Sequence, residues 1–501
     1  MSTHIKRFRT FLEEVHDLET AAAVLEWDQQ VLMPSGGAED RAAQLATLHS
    51  LAHSKFTSDE MMETLAAARE QAADLDPDSD EARLVSEVGR LIEKARNVPS
   101  SWVAKNAKVT ALAQQTWQKA RAELNFDTFA PHLDQVMSLC REYANFFQPY
   151  DHIYDPLLDD YEPGMKAARV KEIFDDLRTH QVALVQAIAD SGGGDDSLMR
   201  KVYPADKQRG FGEAVVKDFG YDFERGRQDL SAHPFTTSFG IDDVRITTRF
   251  YENFLSSGLF STLHEAGHAM YEQGIKQSLA RTQLADGTSL AVHESQSRLW
   301  ENLVGRSRPF WTHYFPKLQS TFPAQLGSAD VDAFYRSINT VEPSFIRVDA
   351  DEATYNLHIM LRFELEKALL EGTLAVRDLP TAWNDKMDEY LGIVPSDDAK
   401  GVLQDVHWSA GLVGYFPTYA LGNLIASQWW EQLEQAIPDV QDQIAAGKFD
   451  ELLGWLHENI HQYGKKFKST ELIERITGGP LSAEPYLRYL KSKFGEIYGL
   501  S

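Results

Sequence analysis

Apolar residues recur along this chain at intervals of three and four. In "HIKRFRTFLEEVHDLETAAAVLEWDQQ" they fall at Ile5, Phe8, Leu12, Val15 and Leu18, which is one face of an α-helix. "AWNDKMDEYL" and "ELLGWLHENIHQYG" keep the same period towards the C-terminal end. No unit of roughly 20–50 residues repeats, and no heptad pattern runs far enough for a long coiled coil. One stretch departs from the helical period. "HPFTTSFGIDDVRITTRF" (233–250) is rich in Thr, Val, Ile and Phe around a turn-like "GIDD", and it predicts a β-hairpin of two short strands. "QPYDHIYDPLLDDYEPG" (148–164) reads as a packed connection and "SGGGDDS" (191–197) as an exposed loop; neither resembles a long linker.

The pattern predicts a mainly α fold. A length of 501 residues alone suggests about three domains. With no linker to divide it, the chain reads as a single helical body over 1–501. Within it lie an N-terminal helical lobe (1–200), a motif-bearing region (201–430) and C-terminal helices (431–501). Hydrophobic residues make up 43% of the chain, enough for a substantial core, and no run approaches the ~20 apolar residues that span a bilayer. The first residues do not read as a secretory signal. The lone cysteine, Cys140, cannot form an internal disulfide, so a cytoplasmic protein is expected. A net charge of −26 argues against a nucleic-acid partner, and neither composition nor pattern points to a membrane.

The chemistry concentrates in "FSTLHEAGHAMYEQG". His264 and His268 stand one helical turn apart on one face, and Glu265 lies about 100° around the helix. This is the H-E-x-x-H arrangement, in which the Glu takes the proton of a water acidified by zinc. Ala266, Gly267 and Ala269 are small enough to let another element approach closely. A catalytic zinc wants three protein ligands. "DGTSLAVHESQSRLWENLVG" supplies a helix capped by Thr288 or Ser289, with Glu294 as the natural third ligand and His293 as its competitor. The bland alternative is a pair of core histidines with a surface carboxylate.

The motifs "HPF" (233–235), "DVRIT" (243–247), "HEAGH" (264–268), "HESQ" (293–296), "IRVDAD" (346–351) and "GVLQDVHW" (401–408) occur in an order that resembles the M32 metallocarboxypeptidases, the carboxypeptidase Taq-like family. "LEWDQQVLMPSGGAEDRAAQLATL" and "SAGLVGYFPTYALGN" look like that family too, so the resemblance covers nearly the whole chain. It implies a helical fold with a deep active-site groove, related to the peptidyl-dipeptidase and oligopeptidase zincins. It implies removal of single residues from free peptide C-termini, with broad side-chain tolerance and poor action at proline. It also implies one Zn²⁺ per subunit, replaceable by Co²⁺, and a homodimer. His264, His268 and Glu294 match the family's ligands, and Glu265 its general base. A thermolysin-like pattern would place an Asp where this chain has Arg298, so the acceptor that orients the ligand histidines must come from elsewhere.

A carboxypeptidase must grip a terminal carboxylate, which a guanidinium does through two parallel hydrogen bonds. Arg347 and Arg245 are the candidates; Arg347 is favoured because Asp349 and Asp351 stand ready to orient it. His233 is a further substrate-binding candidate. His407 with Tyr415 or Tyr419 would hold the oxyanion, while Trp408 and Phe416 read as core. Gly411 and Gly414 would let this stretch bend towards the groove. Two rivals remain: an oligopeptidase or peptidyl-dipeptidase with the same metal chemistry in another register, and a non-catalytic peptide-binding protein with a structural metal.

Overall fold

The computed structural model describes residues 3–500 and is built almost entirely of helices. The N-terminal part begins with a long helix, Thr3–Val31, followed by Ala38–Phe56, Asp59–Ala72 and Asp80–Asn97. The last two start at serines, Ser58 and Ser79, whose hydroxyls accept from Met61 N and Ala82 N. Of the predicted stripe, Ile5, Phe8, Leu12 and Val15 are fully buried in a cluster with Met61, Leu65, Val88 and Ile92, while Leu18 is half-buried. Ile275, Leu279 and Leu284, which follow the histidine-bearing helix, close the same cluster. The N-terminal helices therefore share a core with the segment that follows the histidine-bearing helix.

A second and larger core joins the rest of the chain. At its centre run the helices Leu255–Gln273, Leu290–Arg298, Tyr355–Glu371 and Pro417–Ala436. Leu255–Gln273 is apolar or small on nearly every side, as a helix packed all round must be. The connection at 148–164 is packed: Tyr154 to Leu158 are buried there, and the backbone at Leu157 and Leu158 is met closely by Gly414. Residues 191–195 are exposed.

The predicted hairpin is present as β2 (Thr236–Ser238) paired antiparallel to β3 (Val244–Thr248), with Thr236 opposite Ile246. A third strand, β1 (Gln228–Leu230), lies parallel on the other side of β3, with Gln228 opposite Ile246. Only three residues long, β1 is too short to show alternation in the sequence. Gln228 Nε2 donates to Thr248 Oγ1 at 2.8 Å and to Thr262 Oγ1 at 3.0 Å, which ties the sheet to the helix that carries the histidines. No helix among the described residues is long and apolar enough to cross a membrane.

Candidate metal centre and active site

Helix Leu255–Gln273 presents His264 and His268, and helix Leu290–Arg298 presents Glu294. Of the two candidate caps it is Ser289 that caps the second helix, accepting from Val292 N at 3.2 Å, while Glu162 accepts from Ala291 N. The two helices touch through glycine. A Cβ at Gly267 would fall 2.7 Å from Gln296 O and from Ser297 Cα. On the opposite side a Cβ at Gly422 would fall 2.7 Å from Cβ and Cγ of Glu294. The glutamate helix is thus clamped between two bare backbones.

This clamp sets the donor geometry. Glu294 Oε2 lies 3.7 Å from His264 Nε2 and 3.6 Å from His268 Nε2, and the three donor atoms all lie within 4.8 Å of one another. Donor atoms around a tetrahedral zinc with bonds of about 2.1 Å stand roughly 3.4 Å apart, so the cluster fits such an ion. The far side of each ring is occupied. His264 Nδ1 meets Glu301 Oε2 at 2.9 Å, and His268 Nδ1 meets His293 Nδ1 at 2.6 Å. With the Nδ1 protons engaged there, both Nε2 lone pairs face the cluster. Arg298 Nε donates to Glu294 Oε1 at 2.7 Å, leaving Oε2 towards the histidines, and Arg298 also reaches Glu301 at 3.2 Å. The acceptors missing from the sequence reading are therefore Glu301 and His293. His293 lies outside the donor set; its Nε2 meets Glu272 Oε1 at 2.7 Å. Glu301 stands seven residues after Glu294, a same-face spacing that was a usable signal, although it sits on the π-helical turn Leu299–Val304.

Glu265 is buried beside the cluster. The Thr236 hydroxyl on β2 is 2.7 Å from its Oε2 and 2.9 Å from its carbonyl oxygen. Burial pushes the Glu265 carboxyl up, against the pull of His264 and the Thr236 hydroxyl. Burial likewise opposes the charge of Glu301, yet Arg298 and His264 bring it down to about 2.

The second group assembles around Arg347. Its guanidinium is buried, with Nε and Nη2 donating to Asp405 Oδ1 at 3.1 and 3.0 Å and Nη1 donating to the Tyr355 hydroxyl at 3.1 Å. Asp405 also takes Arg362 Nε at 2.7 Å. Burial opposes the Asp405 charge, but Arg362 and Arg347 hold its carboxyl well below the usual range. The expected orienters, Asp349 and Asp351, do not touch Arg347. Asp351 instead caps a turn, accepting from Ala353 N, Thr354 N and Glu342 N, and Asp349 lies nearest the charge of Arg200. The partner of Arg347 comes from "GVLQDVHW", 58 residues on.

His407 packs on Phe416 and Tyr415, with ring centres 4.6 and 5.4 Å apart. Burial, with Arg347 and Arg362 nearby, lowers it to about 4, so it is neutral at physiological pH. Arg347 lies 5.0 Å from the ring centre of Tyr419, which stands 5.3 Å from Tyr415. Trp408 and Phe416 are buried. Gly411 and Gly414 have φ of 77° and 90°, a backbone form that suits glycine and bends this stretch. The Gly414 N–H donates to Glu366, whose buried carboxylate also accepts from Trp408 Nε1 and Tyr154 Oη. Burial raises Glu366 to about 7.

The structure thus brings Arg347, His407, Tyr415 and Tyr419 together. Arg298 links them to Glu294, since its guanidinium lies 4.4 Å over the Tyr355 ring. Arg245 and His233 sit apart from this group. Arg245 is paired bidentately with Asp243 at 2.8 Å and stacked between Trp27 and Phe239, and His233 is exposed. No hydrogen bond among the described residues joins either to the donor set or to Arg347.

A sequence model of the family described as carboxypeptidase Taq (M32) metallopeptidase matches residues 7–494. Thermostable carboxypeptidase 1 of Thermus thermophilus is 42% identical over 499 residues, 98% of each chain. Carboxypeptidase 1 of Bacillus subtilis is 37% identical over 497 residues, 99% of each chain. The crystal structure of the M32 carboxypeptidase from Deinococcus radiodurans R1 superposes with a TM-score of 0.97 at 42% identity, covering 99% of this chain and 100% of that one.

Proposed function

The chain belongs to the carboxypeptidase Taq (M32) metallopeptidase family and is a metal-dependent carboxypeptidase acting on peptides, and from that premise we propose that it is a zinc enzyme releasing single residues from free C-termini. The observation that carries this reading is the convergence of His264 Nε2, His268 Nε2 and Glu294 Oε2 beside a buried Glu265. Two imidazoles and a carboxylate suit Zn²⁺, with Co²⁺ as a substitute; when bound, such an ion acidifies water and polarises the scissile carbonyl.

In this reading the protein's own groups do the following. Glu265 takes the proton of the attacking water and returns it to the leaving amine. The Thr236 hydroxyl fixes one oxygen of Glu265, and no hydrogen bond among the described residues engages the other. His407, neutral and beside Tyr415 and Tyr419, supports the oxyanion. Arg347, held by Asp405, receives the terminal carboxylate and so sets the register at one residue. Arg245, paired with Asp243 and set apart from the donor cluster, is the weaker candidate for that role, and the exposed His233 is the weaker candidate for binding substrate. Broad specificity, poor action at proline and a homodimer follow from the family resemblance. The single buried cysteine, Cys140, suits a cytoplasmic setting.

The test is mass spectrometry of an N-blocked, free-acid peptide incubated with the protein, with chelator and with added Zn²⁺ or Co²⁺. A ladder of single-residue losses, abolished by chelator and restored by metal, is expected. Dipeptide or internal products would move the register to the oligopeptidase rival. No cleavage by metal-loaded protein would leave the binding-protein rival.

A further inference from the structure

His293 stands next to Glu294 in sequence, yet neither of its ring nitrogens joins the cluster of donor atoms. Its Nδ1 lies 2.6 Å from His268 Nδ1 and its Nε2 lies 2.7 Å from Glu272 Oε1. The surroundings are shaped to this ring. A Cβ at Gly287 would fall 2.5 Å from His293 Cδ2, and Tyr271 packs edge-on at 5.2 Å. One chain of donors satisfies the contacts: His268 Nδ1–H donates to His293 Nδ1, with the His293 backbone carbonyl as a second acceptor, and His293 Nε2–H donates to Glu272. That chain leaves His268 Nε2 with its lone pair exposed to the cluster.

The other histidine is supported differently. His264 donates to Glu301, but Glu301 also faces Arg298 at 3.2 Å and Arg306 at 3.6 Å. Its negative charge is shared with two guanidiniums. Glu272 is buried, pairs with His293 and has no lysine or arginine partner among the described residues. A carboxylate behind an imidazole makes the imidazole chain a stronger donor and fixes its orientation.

We propose that Glu272 and His293 form a relay that positions His268 and governs how tightly the metal is retained, His293 being a positioning residue and not a ligand. The relay rests on His264, His268 and Glu294 being the donor set. It requires the two residues to act in series. Once His293 is gone, the charge of Glu272 has no route to His268.

The experiment measures the Zn²⁺ dissociation constant by competition with a chromophoric chelator, and the visible absorption of Co²⁺-loaded protein, in five forms. These are wild type, His293→Leu, His293→Asn, Glu272→Gln and the double variant His293→Leu/Glu272→Gln, with His268→Ala measured beside them as a control on the donor set. His293→Leu is expected to weaken Zn²⁺ binding roughly 10- to 100-fold and to shift the Co²⁺ bands. His293→Asn, whose Oδ1 can accept from His268, is expected to recover most of that loss, which a cavity left by the ring would not allow. Glu272→Gln keeps the shape and loses the charge, and a smaller weakening is expected. In the His293→Leu background the same change is expected to add nothing, because coupled residues are non-additive. Wild-type affinity and an unshifted spectrum in His293→Leu would overturn the relay, as would independent, additive losses in the double variant. Wild-type protein that takes up no Zn²⁺, or a His268→Ala variant that binds it as tightly as wild type, would overturn the donor set and the relay with it.

Discussion

Gly422→Ala is predicted to harm metal binding more than stability. A Cβ there would stand 2.7 Å from Cβ and Cγ of Glu294 and 3.2 Å from the Ala291 carbonyl oxygen. Carbon–carbon contacts settle at about 3.5–4.0 Å, so the two helices must part by about 1 Å. The glutamate helix cannot simply retreat, because Gly267 already holds the backbone at Gln296 and Ser297 on its other side. Overpacking of this kind costs about 1–3 kcal/mol, and alanine recovers about 1 kcal/mol of helix propensity, leaving a net loss of about 0–2 kcal/mol. Metal–ligand distances tolerate only about 0.2 Å, so a carboxylate displaced several times further is expected to cost at least tenfold in affinity. The assays are the thermal midpoint by circular dichroism and the Zn²⁺ dissociation constant by chelator competition. Gly454→Ala is the control: nothing lies within 4 Å of its Cβ position, so it gains about 1 kcal/mol of helix propensity with no clash and is expected to raise the thermal midpoint slightly while leaving Zn²⁺ affinity at the wild-type value. A Gly422→Ala protein that binds Zn²⁺ as tightly as wild type would refute the clamp.

Glu265→Gln should keep its metal and lose turnover by several orders of magnitude; near-normal activity at full metal content would remove the general-base assignment. Arg347→Ala should raise KM for free-acid peptides far more than for amidated ones, and equal effects on both would move the carboxylate role elsewhere. Asp405→Asn strips the charge partner from two buried guanidiniums and should destabilise the protein by about 3–5 kcal/mol, read as a lowered denaturation midpoint. Glu366 gives a pH test. Its carboxyl is raised by burial from an ordinary 4.5 to about 7, so the folded chain binds that proton more tightly than the unfolded one. The resulting stabilisation is complete below pH 4.5 and is lost as pH rises through about 7, an amount of roughly 3 kcal/mol. Glu366→Gln should therefore flatten the fall of the thermal midpoint between about pH 5 and 8, and an unchanged slope would contradict the assignment.

What was legible in the sequence was whatever depends on local period. The 3.6-residue repeat marked Ile5, Phe8, Leu12, Val15 and Leu18, of which the first four are buried and the last half-buried. The i, i+4 spacing fixed two imidazoles on one face, and a run of Thr, Val, Ile and Phe around a turn marked β2 and β3. The misreading at Arg347 has the opposite cause. Asp349 and Asp351 were chosen for nearness in sequence, but after Arg347 the chain makes only a short 3-10 turn, which turns those carboxylates to other tasks. The true partner, Asp405, lies on a different segment, and no periodicity reports such a pairing. Glu272 and Thr236 were hidden for the same reason. Each acts on its partner through contacts that exist only once helix, sheet and loop have packed.

A protein of net charge −26 is an unlikely receiver for a carboxylate until the charges are located. Exposed charges are screened over about 8 Å at physiological ionic strength, so most of that excess is not felt inside the site. Around the proposed carboxylate position the local sum has the opposite sign. Arg347 and Arg362 share one carboxylate, Asp405, and His407 is held neutral, which leaves one excess positive charge in a buried setting. Burial strengthens that charge because little water is present to screen it. The contacts also fix its position relative to the metal donors. Glu294 is held by Arg298, Arg298 lies over the Tyr355 ring, and the Tyr355 hydroxyl accepts from Arg347. A register of one residue requires a fixed separation between the scissile carbonyl and the terminal carboxylate. A flexible surface arginine could supply the charge but not that separation. This chain of buried contacts supplies both, which is why the proposal assigns the carboxylate to Arg347 and not to Arg245, whose pairing with Asp243 and stacking on Trp27 and Phe239 give it no such link to the metal donors.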